Sequence, residues 1–218
     1  MKFAKKSLGQ NFLIDKNIIK KIINSVDVRN KNIVEIGPGK GALTEEILKN
    51  NPKSLILIEK DNSLSENLNL KFSNYNFLKV YNEDILNLNV EKIIKEETII
   101  FGNLPYNISS QILVKFLKFN VWPPKFNDLI LMFQKELADK ITGEYLSTNY
   151  GRISIISNYR LKILKKFNVS ANCFIPKPKV TSTVLHFRPI QKNRFEIKNI
   201  SNLEKVTNIL FSERRKMI

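Results

Sequence analysis

The sequence predicts an α/β protein built on an open, doubly wound, Rossmann-like parallel sheet. Short β-branched apolar runs alternate with segments of helical periodicity over most of the chain. The runs are apolar at nearly every position, which is typical of parallel strands covered by helices on both faces. A glycine-rich turn follows the first run, where the backbone can approach a ligand closely. We therefore expect one sheet with helices packed on each side.

The first two thirds of the chain contain five strand-like runs with a helical segment between each pair. A further helix is expected over 15–26, in front of the first strand, with Asp15 as its N-cap. The strands are predicted over 32–37, 54–60, 77–84, 98–103 and 127–134, and the helices between them over 42–50, 62–72, 90–97 and 109–119.

The pattern changes after about residue 150. Residues 150–170 are predicted as a helix running into a strand, and 172–180 as a loop stiffened by prolines. Residues 180–189 are predicted as an alternating strand, and 200–218 as one amphipathic helix. The two further strands extend the sheet to seven, with room for an antiparallel edge. We find no repeat and no low-complexity linker, so no independent second domain is expected.

The charge of the chain is concentrated near its C-terminal end. The 218 residues carry a formal net charge of +16. Residues 1–150 hold 21 basic and 17 acidic side chains, whereas residues 151–218 hold 15 basic and 3 acidic ones. A one-sided basic field favours a polyanionic partner such as nucleic acid. An anionic membrane surface is the weaker alternative, because no basic helix carries bulky aromatic residues on its opposite face.

Several classes of protein are excluded by composition. A single cysteine, Cys173, excludes a disulfide framework and a multi-cysteine zinc site. A single histidine, His186, argues against paired histidine ligands and a Ser-His-Asp triad, so no metal is expected. We interpret both residues as structural. No apolar run approaches the roughly 18 residues of a membrane span, and no signal segment opens the chain, so a soluble cytoplasmic protein is expected.

The glycine turn and a later acidic residue point to an adenosine-containing cofactor. Gly37, Gly39 and Gly41 follow the first strand with a G-x-G-x-G spacing, which differs from the dinucleotide fingerprint. Glu59 ends the second strand, where a carboxylate accepts hydrogen bonds from ribose hydroxyls. Asp84 ends the third strand, either as an acceptor for the adenine amine or as a helix cap. These residues do not separate a nicotinamide dinucleotide from S-adenosylmethionine.

The segment Asn103-Leu104-Pro105-Tyr106 ends the fourth strand, at the edge where such sheets bind ligands. An exocyclic amine attacks a methyl group poorly while its lone pair is delocalised into the base. The Asn103 side-chain oxygen and the Leu104 carbonyl can accept its two hydrogens, and Pro105 fixes the backbone that aims them. Tyr106 offers a face for stacking. The alternative is an ordinary Asn-x-Pro turn with a packed tyrosine.

Phe174 lies between turns after the sixth predicted strand. It is expected to close over a flipped base opposite Tyr106. Taken alone, this residue favours a place in the hydrophobic core.

Six motifs cover nearly the whole chain: KKSLGQNFLID, VEIGPGKGALTEEIL, GNLPYNISSQIL, MFQKELADKI, YGRISI and FIPKPKVTSTV. Their sequences and their order resemble the KsgA-type small-subunit ribosomal RNA adenine dimethyltransferase family. The related macrolide-resistance methylases, which act on large-subunit RNA, share the fold and an Asn-x-Pro-(Tyr/Phe) motif. KKSLGQNFL, NLPYNIS and the YGR stretch are more similar to the small-subunit enzymes.

The resemblance implies S-adenosylmethionine as cofactor and dimethylation of the N6 amines of adjacent adenosines near the 3′ end of small-subunit rRNA. It implies the immature small subunit as partner and a monomeric enzyme, with a methyltransferase domain over 1–188 and the start of a truncated C-terminal helical region over 189–218. Alternatives are a large-subunit methylase, a non-catalytic assembly factor and a nicotinamide-dependent dehydrogenase. The implied cofactor residues are Asn11, Leu13, Gly37, Glu59, Asp84 and Asn103, and the implied catalytic residues are Asn103, Leu104, Pro105, Tyr106 and Phe174.

Overall fold

The computed structural model describes residues 9–192, 197 and 199–212. Strands and helices alternate along most of this length. The strands are β1 (Phe12–Leu13), β2 (Asn32–Ile36), β3 (Ser54–Ile58), β4 (Leu78–Tyr81), β5 (Thr98–Asn103), β6 (Phe126–Gln134), β7 (Leu161–Val169), β8 (Phe174–Ile175) and β9 (Ser182–Pro189). The helices are α1 (Lys16–Ile23), α2 (Ala42–Lys49), α3 (Asn62–Lys71), α4 (Val90–Ile93), α5 (Ser109–Leu117), α6 (Lys135–Ile141), α7 (Arg152–Arg160) and α8 (Ile200–Ser212).

The central sheet has seven strands in the order β4-β3-β2-β5-β6-β9-β7. The first five of these run parallel, β9 is antiparallel to β6, and β7 is antiparallel to β9. This confirms the predicted doubly wound sheet and its antiparallel edge. The strand order reverses at β2, which lies between β3 and β5, so ligands are expected outside the carboxyl ends of these strands.

Helices cover both faces of the sheet and bury two apolar clusters. One cluster lies under α5 and α7 and includes Phe116, Phe133 and Phe187. The other lies under α1 and α2 and includes Ile47 and Phe101. Each residue of a central strand faces one cluster or the other, so the central strands are apolar at nearly every position.

Most predicted elements form within a few residues of the expected bounds. Asp15 caps α1 as predicted, since its carboxylate accepts the N–H groups of Asn17 (2.9 Å) and Ile18 (3.0 Å). The helix predicted over 90–97 is wrong beyond Ile93, because Ile94 turns to an extended conformation and Glu97 takes a positive φ of 58°. The helix predicted over 200–218 is present to Ser212, and the rest lies outside the described residues.

Residues 180–189 do not alternate between buried and exposed positions as predicted. In β9 only Arg188 is exposed, because this strand lies between β6 and β7 with apolar layers on both faces. Helix α6 was not predicted. It has seven residues, too few for a helical period to stand out, and begins directly after β6.

The predicted proline loop over 172–180 contains a short strand. Strand β8 pairs antiparallel with β1, so that Phe12 faces Ile175 and Leu13 faces Phe174. The Ile14 N–H also donates to the Cys173 carbonyl (2.9 Å). The N-terminal segment is thereby fixed beside the carboxyl ends of the parallel strands. Within the described part of the chain, no helix has the length and apolar character needed to cross a membrane.

Candidate active site

A cleft of about 1000 Å³ opens at the carboxyl ends of the parallel strands. Its volume lies at the upper end of the range for small-molecule sites. The structure brings together nine of the ten site residues expected from the sequence, and these nine line the cleft: Asn11, Leu13, Gly37, Glu59, Asp84, Asn103, Leu104, Pro105 and Tyr106.

The glycine turn forms one wall of the cleft. Gly37 and Gly39 have positive φ angles of 65° and 58°, which side chains rarely tolerate. A Cβ on Gly39 would lie 2.9 Å from Cδ1 of Phe12, so the turn and the N-terminal segment are in direct contact. The two glycines thus leave a backbone surface that a ligand can approach.

Glu59 lies next to this turn and is 7% exposed. Its two oxygens accept backbone hydrogen bonds, Oε2 from Gly39 N–H (3.1 Å) and Oε1 from Asp61 N–H (2.9 Å). Burial raises the pKa of this carboxyl, and the two backbone bonds partly oppose that rise. Each carboxylate oxygen can accept a second hydrogen bond, so the pair can also receive two ribose hydroxyls.

A second buried acid, Glu35, also lines the cleft and was not predicted as a site residue. Its Oε2 accepts a 2.6 Å hydrogen bond from the Thr44 hydroxyl. Burial raises its pKa to about 8, the Thr44 bond opposes the rise, and the nearby charge of Glu59 adds to it. A signal was present in the sequence, since a lone charged residue stands inside the otherwise apolar strand β2.

Asp84 lines the cleft, and its carboxylate caps a turn rather than a helix, since the next helix, α4, begins at Val90. Its Oδ1 accepts the N–H of Leu86 (2.9 Å), as a capping residue does, and its Oδ2 pairs with the Lys60 ammonium (2.8 Å) while the residue lines the cleft. Burial alone raises the pKa of this carboxyl. The hydrogen bonds from Lys60 and Leu86, with the charges of Lys60 and Lys115, outweigh burial and hold that pKa below its usual value. Asp84 is therefore an ionised acceptor.

Asn103 stands at the end of β5 with its amide held in one orientation. Its Nδ2 donates to the backbone carbonyl of Asn11 (3.1 Å). A carbonyl can only accept, so the nitrogen must face Asn11, and Oδ1 is the end of the amide left to accept a hydrogen bond. Gly102 makes this turn possible, since a Cβ there would lie 2.6 Å from the buried Leu104 side chain.

Tyr106 lies between the cleft and a smaller recess of about 360 Å³. Its hydroxyl forms a 2.6 Å hydrogen bond with the hydroxyl of Ser182 in β9, which fixes the ring. Burial raises the pKa of the phenol. The recess is also lined by Gly9, Asn11, Asn107 and Gln134, so a planar group beside Tyr106 meets polar side chains.

Phe174 is the one expected site residue that the structure does not bring to the cleft. It is 2% exposed and packs in the apolar cluster of α1 and α2, opposite Leu13. Its neighbour Ile175, which is 57% exposed, lines the cleft instead. Alternation along β8 explains the difference, because adjacent residues of a strand point to opposite faces.

The lone histidine and cysteine lie outside the cleft lining. His186 is buried in β9, with Nε2 2.7 Å from Oδ1 of Asp128, near the start of β6. The Cys173 sulfur lies 3.8 Å from Oδ2 of Asp15. Burial raises the pKa of this thiol, which keeps it in its unreactive protonated form.

The seven-stranded sheet, the glycine turn and the acidic residues of the cleft define the class of Rossmann-like methyltransferases. The sequence matches the family described as ribosomal RNA adenine dimethylase over residues 1–218. The chain belongs to this family, whose members use S-adenosylmethionine as methyl donor.

Individual relatives agree with this membership. The chain is 47% identical over 218 residues to Ribosomal RNA small subunit methyltransferase A of Pelagibacter ubique, covering 99% of this chain and 81% of that protein. A Wolbachia protein of the same name is 41% identical, with 98% and 78% covered.

Two solved structures share the fold over most of their length. A dimethyladenosine transferase from Plasmodium falciparum has a TM-score of 0.81 at 29% identity, with 95% of this chain and 73% of that one covered. The 23S rRNA methyltransferase ErmE has a TM-score of 0.73 at 26% identity, with 93% and 80% covered. The cleft fits the cofactor of this class, because a bare glycine turn lies beside carboxylates with unused acceptor positions.

Proposed function

We propose that this protein dimethylates the N6 amines of two adjacent adenosines near the 3′ end of small-subunit rRNA, with S-adenosylmethionine as methyl donor. Family membership and the small-subunit methyltransferases at 38–47% identity support this activity. The large-subunit methylase is not favoured, since ErmE resembles the chain at only 26% identity. Membership of a methyltransferase family also removes the support for a nicotinamide-dependent dehydrogenase.

The cofactor supplies a methyl group bound to a positively charged sulfur. We assign its ribose to Glu59, whose carboxylate is already aligned by two backbone N–H groups. We assign its adenine amine to Asp84, which is ionised and fixed by Lys60. Gly37 and the N-terminal residues Asn11 and Leu13 complete the wall around it.

The observation that carries the proposal is the orientation of the Asn103 amide at the end of β5. Because Nδ2 is bonded to Asn11, Oδ1 can accept one hydrogen of the target amine, and we assign the second to the Leu104 carbonyl. Two acceptors favour a pyramidal nitrogen whose lone pair points away from them, toward the methyl group. Tyr106, fixed by Ser182, provides a stacking face for the flipped adenine.

Stacking on an aromatic ring is worth about 1–3 kcal/mol per base. Phe174 would contact the target adenine on the face opposite Tyr106 only if β8 turned its side chain out of the core. We therefore assign Ile175 to that face of the adenine.

The domain division and the setting of the reaction are part of the same proposal. We place the catalytic domain at residues 1–188, because the last strand of the described sheet, β9, ends within one residue of that boundary. Residues 189–218 would begin a C-terminal helical region, and α8 packs Ile200 and Leu203 against the core. We take the immature small ribosomal subunit as the substrate, acted on in the cytoplasm by a monomer.

Transfer of labelled methyl groups to unmethylated small subunits tests the proposal, with naked rRNA in parallel and mass spectrometry to map the product. We expect dimethyladenosine at adjacent positions near the 3′ end. Asn103→Ala is the matched variant, which should lose methyl transfer while its fold is retained. Methylation confined to large-subunit RNA, or undiminished turnover by Asn103→Ala, would contradict the assignment.

A further inference from the structure

Four lysines on adjacent elements have no acidic partner in the described part of the chain. Lys16, Lys20 and Lys21 belong to α1, and Lys165 belongs to β7. Among the described residues, no carboxylate forms an ion pair with any of them. We call these four residues the α1–β7 lysine surface.

Local contacts connect the α1–β7 lysine surface from the cleft to the edge of the sheet. Lys16 and Lys20 line the cleft. The Lys21 ammonium lies 4.4 Å from the ring centre of Phe167 in β7, and the Lys165 ammonium donates to the carbonyl of Ser25 after α1 (2.9 Å). The four positive charges therefore leave the cleft along α1 and end on β7, an edge strand.

Helix α6 shows how the same chain arranges lysines on an ordinary exposed helix. Lys135 pairs with Asp139 and Lys140 pairs with Glu136, each at 2.6 Å and four residues apart. In α1 the corresponding four-residue spacing joins Lys16 to Lys20, two like charges. Such a pair destabilises a helix by a few tenths of a kcal/mol. The arrangement in α1 becomes favourable when an external anion lies across the lysines.

We propose that the α1–β7 lysine surface binds phosphates of the RNA strand that flanks the target nucleotide. This inference rests on the proposed function and assigns the path that the RNA substrate takes over the protein surface. A nucleotide that enters the cleft remains joined to its strand, whose phosphates must leave along the protein surface. Lysines suit this task, because they neutralise phosphates as point charges without selecting a sequence.

Two structural roles compete with this assignment. Lysines on an edge strand hinder edge-to-edge pairing of sheets, which would account for Lys165. Lysines in the last turn of a helix interact with its dipole, which would account for Lys20 and Lys21. Neither role requires RNA, so the salt dependence of RNA binding separates them from the proposal.

The test compares two triple variants with equal loss of charge. Lys20→Gln, Lys21→Gln and Lys165→Gln alter the α1–β7 lysine surface. The control changes three exposed lysines outside the α1–β7 lysine surface, none of which lines the cleft or forms an ion pair within the described part of the chain: Lys79→Gln, Lys92→Gln and Lys95→Gln. Binding of a fluorescent, unmethylated RNA of the small-subunit 3′ end is measured from about 50 to 200 mM KCl.

We expect the first variant to bind RNA more weakly and with a log–log salt slope shallower by about 2, from roughly 0.7 per lost phosphate contact. Over that salt range the wild type would then lose roughly 16-fold more affinity than the variant. The control triple should keep the wild-type slope.

Equal salt slopes for both triple variants and the wild type would overturn the inference. Equal losses of RNA affinity in the two triple variants would overturn it as well. Aggregation of the α1–β7 triple with unchanged RNA binding would assign these lysines to edge protection instead. Lost binding to anionic vesicles with unchanged RNA binding would assign them to a membrane. Each of these results leaves the proposed function standing if the wild type methylates small-subunit rRNA. A wild type that fails to do so contradicts the function itself.

Discussion

Replacing Glu35 by glutamine is expected to flatten the pH dependence of folding stability. This carboxyl is 1% exposed, and its burial raises the pKa from 4.5 to about 8. Between pH 4.5 and about 8, Glu35 holds a proton in the folded protein that it has released in the unfolded chain. The stabilisation that the protonated group provides is fully present below pH 4.5 and is lost as the pH rises to about 8.

The size of the effect follows from the proton linkage. One retained proton changes the free energy of unfolding by about 1.4 kcal/mol per pH unit, or ~5 kcal/mol over the whole window. Glu35→Gln removes the titration but keeps an oxygen that accepts the Thr44 hydroxyl. As the pH rises, the wild type should therefore lose about 1.4 kcal/mol of unfolding free energy per pH unit relative to the variant. This relative loss should level off near pH 8.

Urea unfolding of the cofactor-free protein, followed by the fluorescence of Trp122, measures this difference across about pH 5.5 to 8.5. Thr44→Val is the companion variant. The Thr44 hydroxyl stabilises the charged carboxylate, so its removal should move the levelling point to higher pH. A difference between wild type and Glu35→Gln that stays constant with pH would show that Glu35 holds no proton at neutral pH.

Two further variants test the cofactor side of the cleft. Glu59→Ala should weaken S-adenosylhomocysteine binding by roughly 10- to 100-fold, the loss of a charge-assisted hydrogen bond of about 1.5–3 kcal/mol, with RNA affinity unchanged. Calorimetry measures the first and anisotropy the second, and equal losses would refute the ribose assignment. Gly39→Ala should lower stability by at least about 1 kcal/mol, since its φ is 58° and the new methyl meets Phe12. An unchanged thermal midpoint would show that the turn relaxes freely.

The parallel sheet and most of the cleft could be predicted because residue types carried the information. Buried strands such as β2 and β5 consist largely of apolar residues, and Gly37 marks a turn that needs a positive φ. Glu59 and Asp84 follow successive strands, so the parallel topology alone brings their carboxylates to one edge. Each of these signals lies in a short stretch of sequence, and the parallel topology places them at the same edge of the sheet.

The features that sequence reasoning missed depend on contacts between distant segments. Phe174 was assigned to the target base because its neighbours resemble a known motif, yet the register of β8 against β1 turns it into the core. A two-residue strand has no detectable period. Glu35 was overlooked as a site residue because its strand was interpreted only as an element of the sheet. Its role emerges from the bond to Thr44 and from its position beside Glu59.

The pairing of β1 with β8 also explains how the parts of the site depend on one another. The Asn11 carbonyl orients the Asn103 amide, Leu13 lines the cleft, and Asp15 caps the helix that carries Lys16 and Lys20. The Ile14 N–H ties this segment to Cys173. Two of these links use backbone atoms: every residue type supplies a carbonyl, and every type except proline supplies an N–H, so no sequence pattern reveals them. Displacing this one segment would therefore disturb the cofactor wall, the amide acceptor and the proposed RNA surface together.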